Sequence, residues 1–128
     1  IKKIVKRKRE IGNIYYDNLK NNDKIILQKN KTSYSNNIFW VFGILLKKDV
    51  KIKRNYLMKK LLEHKIDTRP FFLSMNKQKI FKKMKLFTNK KMPNSEYLSK
   101  NGFYVPSGLA ISNREIKYVC DVLNEILI

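Results

Sequence analysis

The apolar patterning of this chain predicts an α/β fold in which helices cover one side of a small sheet. Two observations predict it. Stretches whose apolar residues recur at helical spacing alternate with short runs rich in aromatic and β-branched residues. The 128 residues, 43% of them hydrophobic, suffice to bury one modest core, and no internal repeat or low-complexity tract interrupts them.

The elements follow in order. Over 1–19, Ile1, Ile4, Val5, Ile11, Tyr15 and Leu19 fall on one helix face with charge between them, so a first amphipathic helix is expected. The polar run 20–24 ends it. A short strand is expected at 24–28, then an exposed loop rich in Asn, Ser and Thr at 29–37. The run 38–46 holds Phe39, Trp40, Val41 and Phe42 and reads as a strand buried on both faces, central in the sheet. Leu57, Leu61 and Leu62 space a second helix over 54–65, where Lys65 meets the negative pole of the helix dipole. His64, the only His, takes a surface place at that helix end.

The segment 66–72 is expected as a strand at the sheet's edge or end, because Pro70 withholds a backbone donor and holds Arg69 extended. Two short helices, 77–84 and 94–100, flank a turn at Pro93, and Gly102 stops the second. A short strand, 103–105, breaks at Pro106, Ser107 and Gly108. In the last helix Ser112 and Glu115 form a capping box, and Ile116, Val119, Cys120, Leu123 and Leu127 make the buried stripe.

Composition narrows the function classes. Cys120 is the only cysteine, so an intrachain disulfide and a multi-cysteine zinc site are excluded, and its place in the helical stripe marks it as a packed core thiol. The longest apolar run, 38–46, is about half of what a bilayer span requires, so no membrane segment is expected and the cytoplasm is the expected compartment. A net charge of +19 attracts polyanions. The basic residues are mostly Lys, in a chain also rich in Asn and Ile, and they are scattered without interleaved aromatics. That pattern favours a solvated surface over a dedicated nucleic-acid face.

No His–carboxylate motif, Gly-rich phosphate loop, HExxH or nucleophile elbow is present. The informative segment is 67–72, which sets Arg69, one of five arginines, beside Pro70, Phe71 and Phe72 at a strand end. A guanidinium there offers a planar fork to a carboxylate or phosphate, and an aromatic ring covers a sugar or base. From the residues alone a second reading stands level with this one: Phe71 and Phe72 belong to the core and Arg69 pairs with a surface acid. In 102–109 two glycines bracket a strand that ends in a tight turn, for which loop geometry is a sufficient account.

Taken together, these segments resemble the C-terminal region of the DegT/DnrJ/EryC1/StrS aminotransferases, above all the perosamine-synthase-like branch, over essentially the whole chain. The run 6–16 is similar to the family's Arg-rich helix between large and small domains, and 38–44 resembles its aromatic strand. Thr68, Arg69, Pro70, Phe71 and Phe72 follow in the family's order. The stretch 75–81 resembles one in which His or Asn precedes a Gln, and 93–98 and 104–109 resemble the closing motifs. Leu73 and Ser74 depart from the usual aromatic and Pro, and Lys79 stands where a Pro is common.

The resemblance implies the small C-terminal α/β domain of a fold-type I PLP-dependent transferase. On it, 1–20 is the linking helix from a large domain absent from this chain and 21–128 is the small domain; the start at Ile1 likewise reads as a fragment. The implied activity moves an amino group, usually from glutamate, to a keto nucleotide-sugar, for amino-sugar and surface polysaccharide biosynthesis. Pyridoxal 5'-phosphate and its Schiff-base Lys belong to the large domain, so no catalytic or cofactor-binding residue is expected here and the fragment is inactive alone. Arg69, Phe71, Asn76 and Gln78 are the implied substrate contacts on one wall of the cleft, in a full-length homodimer. Two other readings stay open: a basic module for nucleic acid or another polyanion, resting on charge alone, and a non-catalytic regulatory relative of the aminotransferase fold.

Overall fold

The computed structural model describes residues 1–87 and 90–128. The chain runs helix α1 (Lys2–Leu19), strands β1 (Ile25–Leu27) and β2 (Phe42–Leu46), helix α2 (Arg54–Glu63) and strand β3 (Arg69–Pro70). A 3-10 turn (Met75–Lys77), a short helix α3 (Lys79–Lys83), helix α4 (Pro93–Asn101), strand β4 (Gly102–Val105) and helix α5 (Asn113–Ile126) complete it. The sheet order is β1-β2-β4-β3, every neighbour antiparallel.

Strand alternation sorts the two faces. Phe42, Ile44 and Leu46 of β2, with Ile25, Phe103 and Val105 beside them, form the core face. They meet Ile11, Tyr15 and Leu19 of α1, Leu57 and Leu61 of α2, and Ile116, Val119, Cys120 and Leu123 of α5. The Tyr15 ring stacks on Phe42 at 4.8 Å, and its hydroxyl donates to the Pro106 carbonyl at 2.6 Å, which satisfies the polar end of a fully buried tyrosine. The α/β architecture expected from the patterning is therefore present, as is the capping box of α5: Ser112 Oγ accepts from the Glu115 N–H and Glu115 Oε2 from the Ser112 N–H. Cys120 is buried, and loss of hydration pushes its thiol pKa up to about 12, with Asp121 adding to the shift. Among the described residues no helix is long and apolar enough to cross a membrane.

Two local readings are corrected. The run 38–46 is not one buried strand. Phe39 has φ 51°, in the left-handed region that a bulky residue rarely adopts, so β2 begins only at Phe42. The Phe39 ring turns into the core against α1 at Gly12, where an added Cβ would sit 2.2 Å from its Cδ2, while Trp40 is left 69% exposed. The segment 66–72 contributes only two paired residues, at the sheet's edge, as a proline that cannot donate allows. Gly102 does stop α4, in an extended conformation with φ −92° and ψ 147°, and opens β4.

Candidate ligand cleft

The face of the sheet away from the core is built around one aromatic ring. Gly43 pairs with Tyr104, and Gly102 with Leu45, so both glycines turn an empty side-chain position to this face. Phe71 fills it. A Cβ on Gly102 would lie 2.2 Å from Phe71 Cδ2, and one on Gly43 would lie 2.9 Å from Cζ. The Phe71 N–H donates to the Gly102 carbonyl at 3.0 Å, and the ring packs on Tyr104 at 4.6 Å. The glycines thus act as a seat, and Phe71 is half-buried on it with its remaining surface toward an open cleft.

That cleft has a volume of about 940 Å³. Trp40 and Val41 stand at one side, Phe71, Phe72 and Tyr104 supply aromatic walls, and Arg54, Arg69, Lys77 and Lys100 line it with positive charge. The two arginines differ in employment. Arg54 donates to the carbonyls of Ser99 and Gly102 and to Asn55 Oδ1, clamping the end of α4 to the start of α2. Partial burial lowers its pKa, though a guanidinium stays charged. Arg69 is exposed, and among the described residues its guanidinium makes no hydrogen bond or ion pair, so its fork is open to a ligand.

The other two residues singled out in the sequence lie behind the wall. Asn76 is buried, accepts from the Ser74 hydroxyl, and donates to Glu96 Oε1 at 2.6 Å. Glu96 also accepts from the Met92 N–H and pairs with Lys77 at 3.4 Å. The Asn76 amide, then the Met92 N–H and Lys77, hold the Glu96 carboxyl below the usual carboxylate range. The Gln78 amide donates to the Leu73 carbonyl at 3.3 Å and contacts Met75 Sδ. Neither residue lines the cleft; both tie segment 73–78 down, Asn76 to α4.

Trp40, Arg54 and Tyr104 were not singled out as site residues from sequence. A usable signal existed in Gly43 and Gly102, each inside a strand pattern, where a missing side chain marks the close approach of another group. A second groove, of about 810 Å³, lies on the other side of Asn76 and is lined by Lys77, Lys82, Lys85, Lys90 and Lys91. Lysines of the run 77–91 gather there.

The cleft lining contains no His, Cys or Asp among the described residues, and its single carboxylate is committed to Asn76, Met92 and Lys77. Also among the described residues, no cluster of three or more His, Cys, Asp or Glu could hold a metal ion. The arrangement offers a ligand aromatic walls and positive charge.

The DegT/DnrJ/EryC1/StrS aminotransferase family matches residues 1–124 of this chain. GDP-perosamine synthase of Escherichia coli O157:H7 is 31% identical over 126 residues, covering 94% of this chain and 31% of that protein. The Vibrio cholerae GDP-perosamine synthase is 27% identical over 124 residues, covering 96% and 32% respectively. Among solved structures, E. coli GDP-4-keto-6-deoxy-D-mannose-3-dehydratase with bound hydrated PLP aligns at TM-score 0.80 and 24% identity, over 94% of this chain and 31% of its own. The sugar aminotransferase Spr1654 of Streptococcus pneumoniae aligns at TM-score 0.84 and 15% identity, over 98% and 32%. This chain spans about a third of the length of these relatives. With the match running from the first helix almost to the end of the last, the chain belongs to the DegT/DnrJ/EryC1/StrS aminotransferase family.

Proposed function

We propose that this chain forms the substrate-side wall of a PLP-dependent enzyme that transfers an amino group from glutamate to a keto nucleotide-sugar, within amino-sugar and surface polysaccharide biosynthesis. The reading places the whole protein in the cytoplasm as a homodimer. The observation that carries it is the cleft itself: aromatic walls at Phe71 and Tyr104 beside the open guanidinium of Arg69 suit a nucleotide-linked sugar, which offers flat rings and a diphosphate. Relatives named GDP-perosamine synthase point to the same substrate class.

The residues present do not fit pyridoxal phosphate. That cofactor takes a lysine nitrogen, an acid at its pyridine nitrogen and a cradle for its phosphate. Here Lys77 is paired with Glu96, Glu96 accepts from Asn76 and Met92, and Lys8, whose pKa partial burial lowers, donates to the Trp40 and Ser107 carbonyls. No step through the cofactor is assigned to this chain, and the reading places its site on the part of the relatives' length that this chain does not span. Within the chain, Arg69 and Phe71 are the proposed ligand contacts, and Asn76 and Gln78 act at one remove by fixing segment 73–78.

Reading the coding sequence upstream of the Ile1 codon and expressing the whole frame tests this. The expected result is a large α/β domain with a lysine that borohydride reduction links to pyridoxal phosphate, in a protein converting GDP-4-keto-6-deoxymannose and glutamate to an amino sugar and 2-oxoglutarate. A frame that closes without such a lysine overturns it.

A further inference from the structure

We propose that Trp40 is a ligand-contacting residue of this cleft, a fixed platform on which the base of a nucleotide stacks. The proposal rests on the nucleotide-sugar reading above and adds a residue to it. Its starting point is a contradiction within one short segment. The Trp40 indole is 69% exposed, yet the backbone that carries it is locked from several directions.

On the N-terminal side, Phe39 holds a left-handed φ of 51° that costs energy for an aromatic residue. Its ring is anchored on Gly12 and packs against Phe42 at 5.6 Å, and its N–H donates to Asn37 Oδ1 at 2.8 Å. On the C-terminal side, β2 begins two residues on, at Phe42. From below, Lys8 Nζ donates to the Trp40 carbonyl and to the Ser107 carbonyl, both at 2.6 Å. A side chain exposed through slack would sit on a mobile loop. Here a strained turn buries Phe39 and in the same step turns the neighbouring indole out into the cleft.

What the indole faces identifies the ligand chemistry. The cleft it lines holds the aromatic pair Phe71 and Tyr104 and the open guanidinium of Arg69. A flat ring with an attached diphosphate satisfies both: an indole stacks well on a nucleobase, and a guanidinium takes a phosphate with two parallel hydrogen bonds.

Trp40 is the only tryptophan in the chain, so its emission reports on this one place. GDP is titrated into the 128-residue chain with inorganic diphosphate as the probe that lacks a base, while equilibrium dialysis measures affinity independently. Saturable quenching by GDP and none by diphosphate is expected. Trp40→Ala should weaken GDP binding about tenfold or more, while Trp40→Phe, which keeps a stacking ring and the same backbone, should keep most of it. Unchanged GDP affinity in Trp40→Ala, or GDP binding that leaves the emission unaltered, would overturn the role of Trp40 and leave the nucleotide reading standing. If only the protein expressed from the whole frame binds GDP, the Trp40→Ala comparison is made there by dialysis with the same expected loss; no GDP binding by that protein at millimolar concentration overturns the nucleotide reading and Trp40's role with it.

Discussion

Gly12 makes sense only through its neighbour in space. A glycine inside a helix costs about 1 kcal/mol relative to alanine, so propensity alone predicts that Gly12→Ala stabilises the protein. The contact geometry predicts the opposite. A Cβ would fall 2.2 Å from Cδ2 and 2.3 Å from Cγ of Phe39, whose ring is buried and holds the strained turn before Trp40. The expected loss is roughly 1–3 kcal/mol in urea unfolding, relieved in part by adding Phe39→Leu. A higher urea midpoint for Gly12→Ala would show that the ring can swing away. This pairing also marks where sequence reading stops at the residue scale. Arg69 and Phe71 were legible because their neighbours in the chain, Pro70 and Phe72, already suggest a displayed strand end. Gly12 and Phe39, or Arg54 and the Gly102 carbonyl, are brought together only by the fold, and no local pattern announces them.

At the scale of elements, periodicity locates the long helices well and the short strands poorly. Helix α5 buries the stripe its spacing announces, whereas α1 buries only the later half of its apolar face, Ile11, Tyr15 and Leu19, and leaves Ile1 and Ile4 exposed, because packing on the sheet reaches only that half. Strand β2 was read four residues too early, because aromatic residues in 38–41 satisfy strand composition while one left-handed residue redirects the backbone. The end of α2 shows a similar limit and yields a prediction. The helix stops at Glu63, with His64 as its cap, and Lys65 adopts φ 62°. The Lys65 N–H donates to the Leu62 carbonyl and the Ile66 N–H to the Leu61 carbonyl, both at 2.9 Å, and Ile66 is buried in the same core as Leu61. This is the paired closure of a Schellman motif, at a position where glycine is usual. Lys65→Gly should therefore stabilise the protein by about 0.5–1 kcal/mol, the relieved left-handed strain outweighing glycine's extra entropy in the unfolded chain. Thermal or urea unfolding would show it, and a loss of stability would mean that the lysine side chain contributes more than the strain costs.

For the molecule as a whole, charge sets the condition under which the fold is held. Twenty-nine basic residues face ten acidic ones, and the salt bridges among the described residues are exposed or half-exposed pairs, four of them between close neighbours in sequence. Pairs of this kind each contribute little, so the net charge of +19 persists as self-repulsion in the compact state. The fold also concentrates it. Lysines from 77 to 91 converge around the second groove because α3 and the approach to α4 fold back beside Asn76. Their density between 77 and 91 is visible in the chain, but which of them share one groove depends on where segment 73–78 is tied. Screening should then strengthen folding. Raising NaCl from about 0.01 M to about 0.3 M shortens the reach of these repulsions from about 30 Å to under 10 Å. The melting temperature should rise by a few degrees, corresponding to about 1 kcal/mol. Lys82→Glu combined with Lys90→Glu removes two charges from the groove and adds two of opposite sign, so the same titration should give a visibly shallower slope. A melting temperature indifferent to NaCl in the unsubstituted chain would mean that the lysines are far enough apart in solution not to repel. Equal slopes in both proteins would place the repulsion elsewhere on the surface than in the groove.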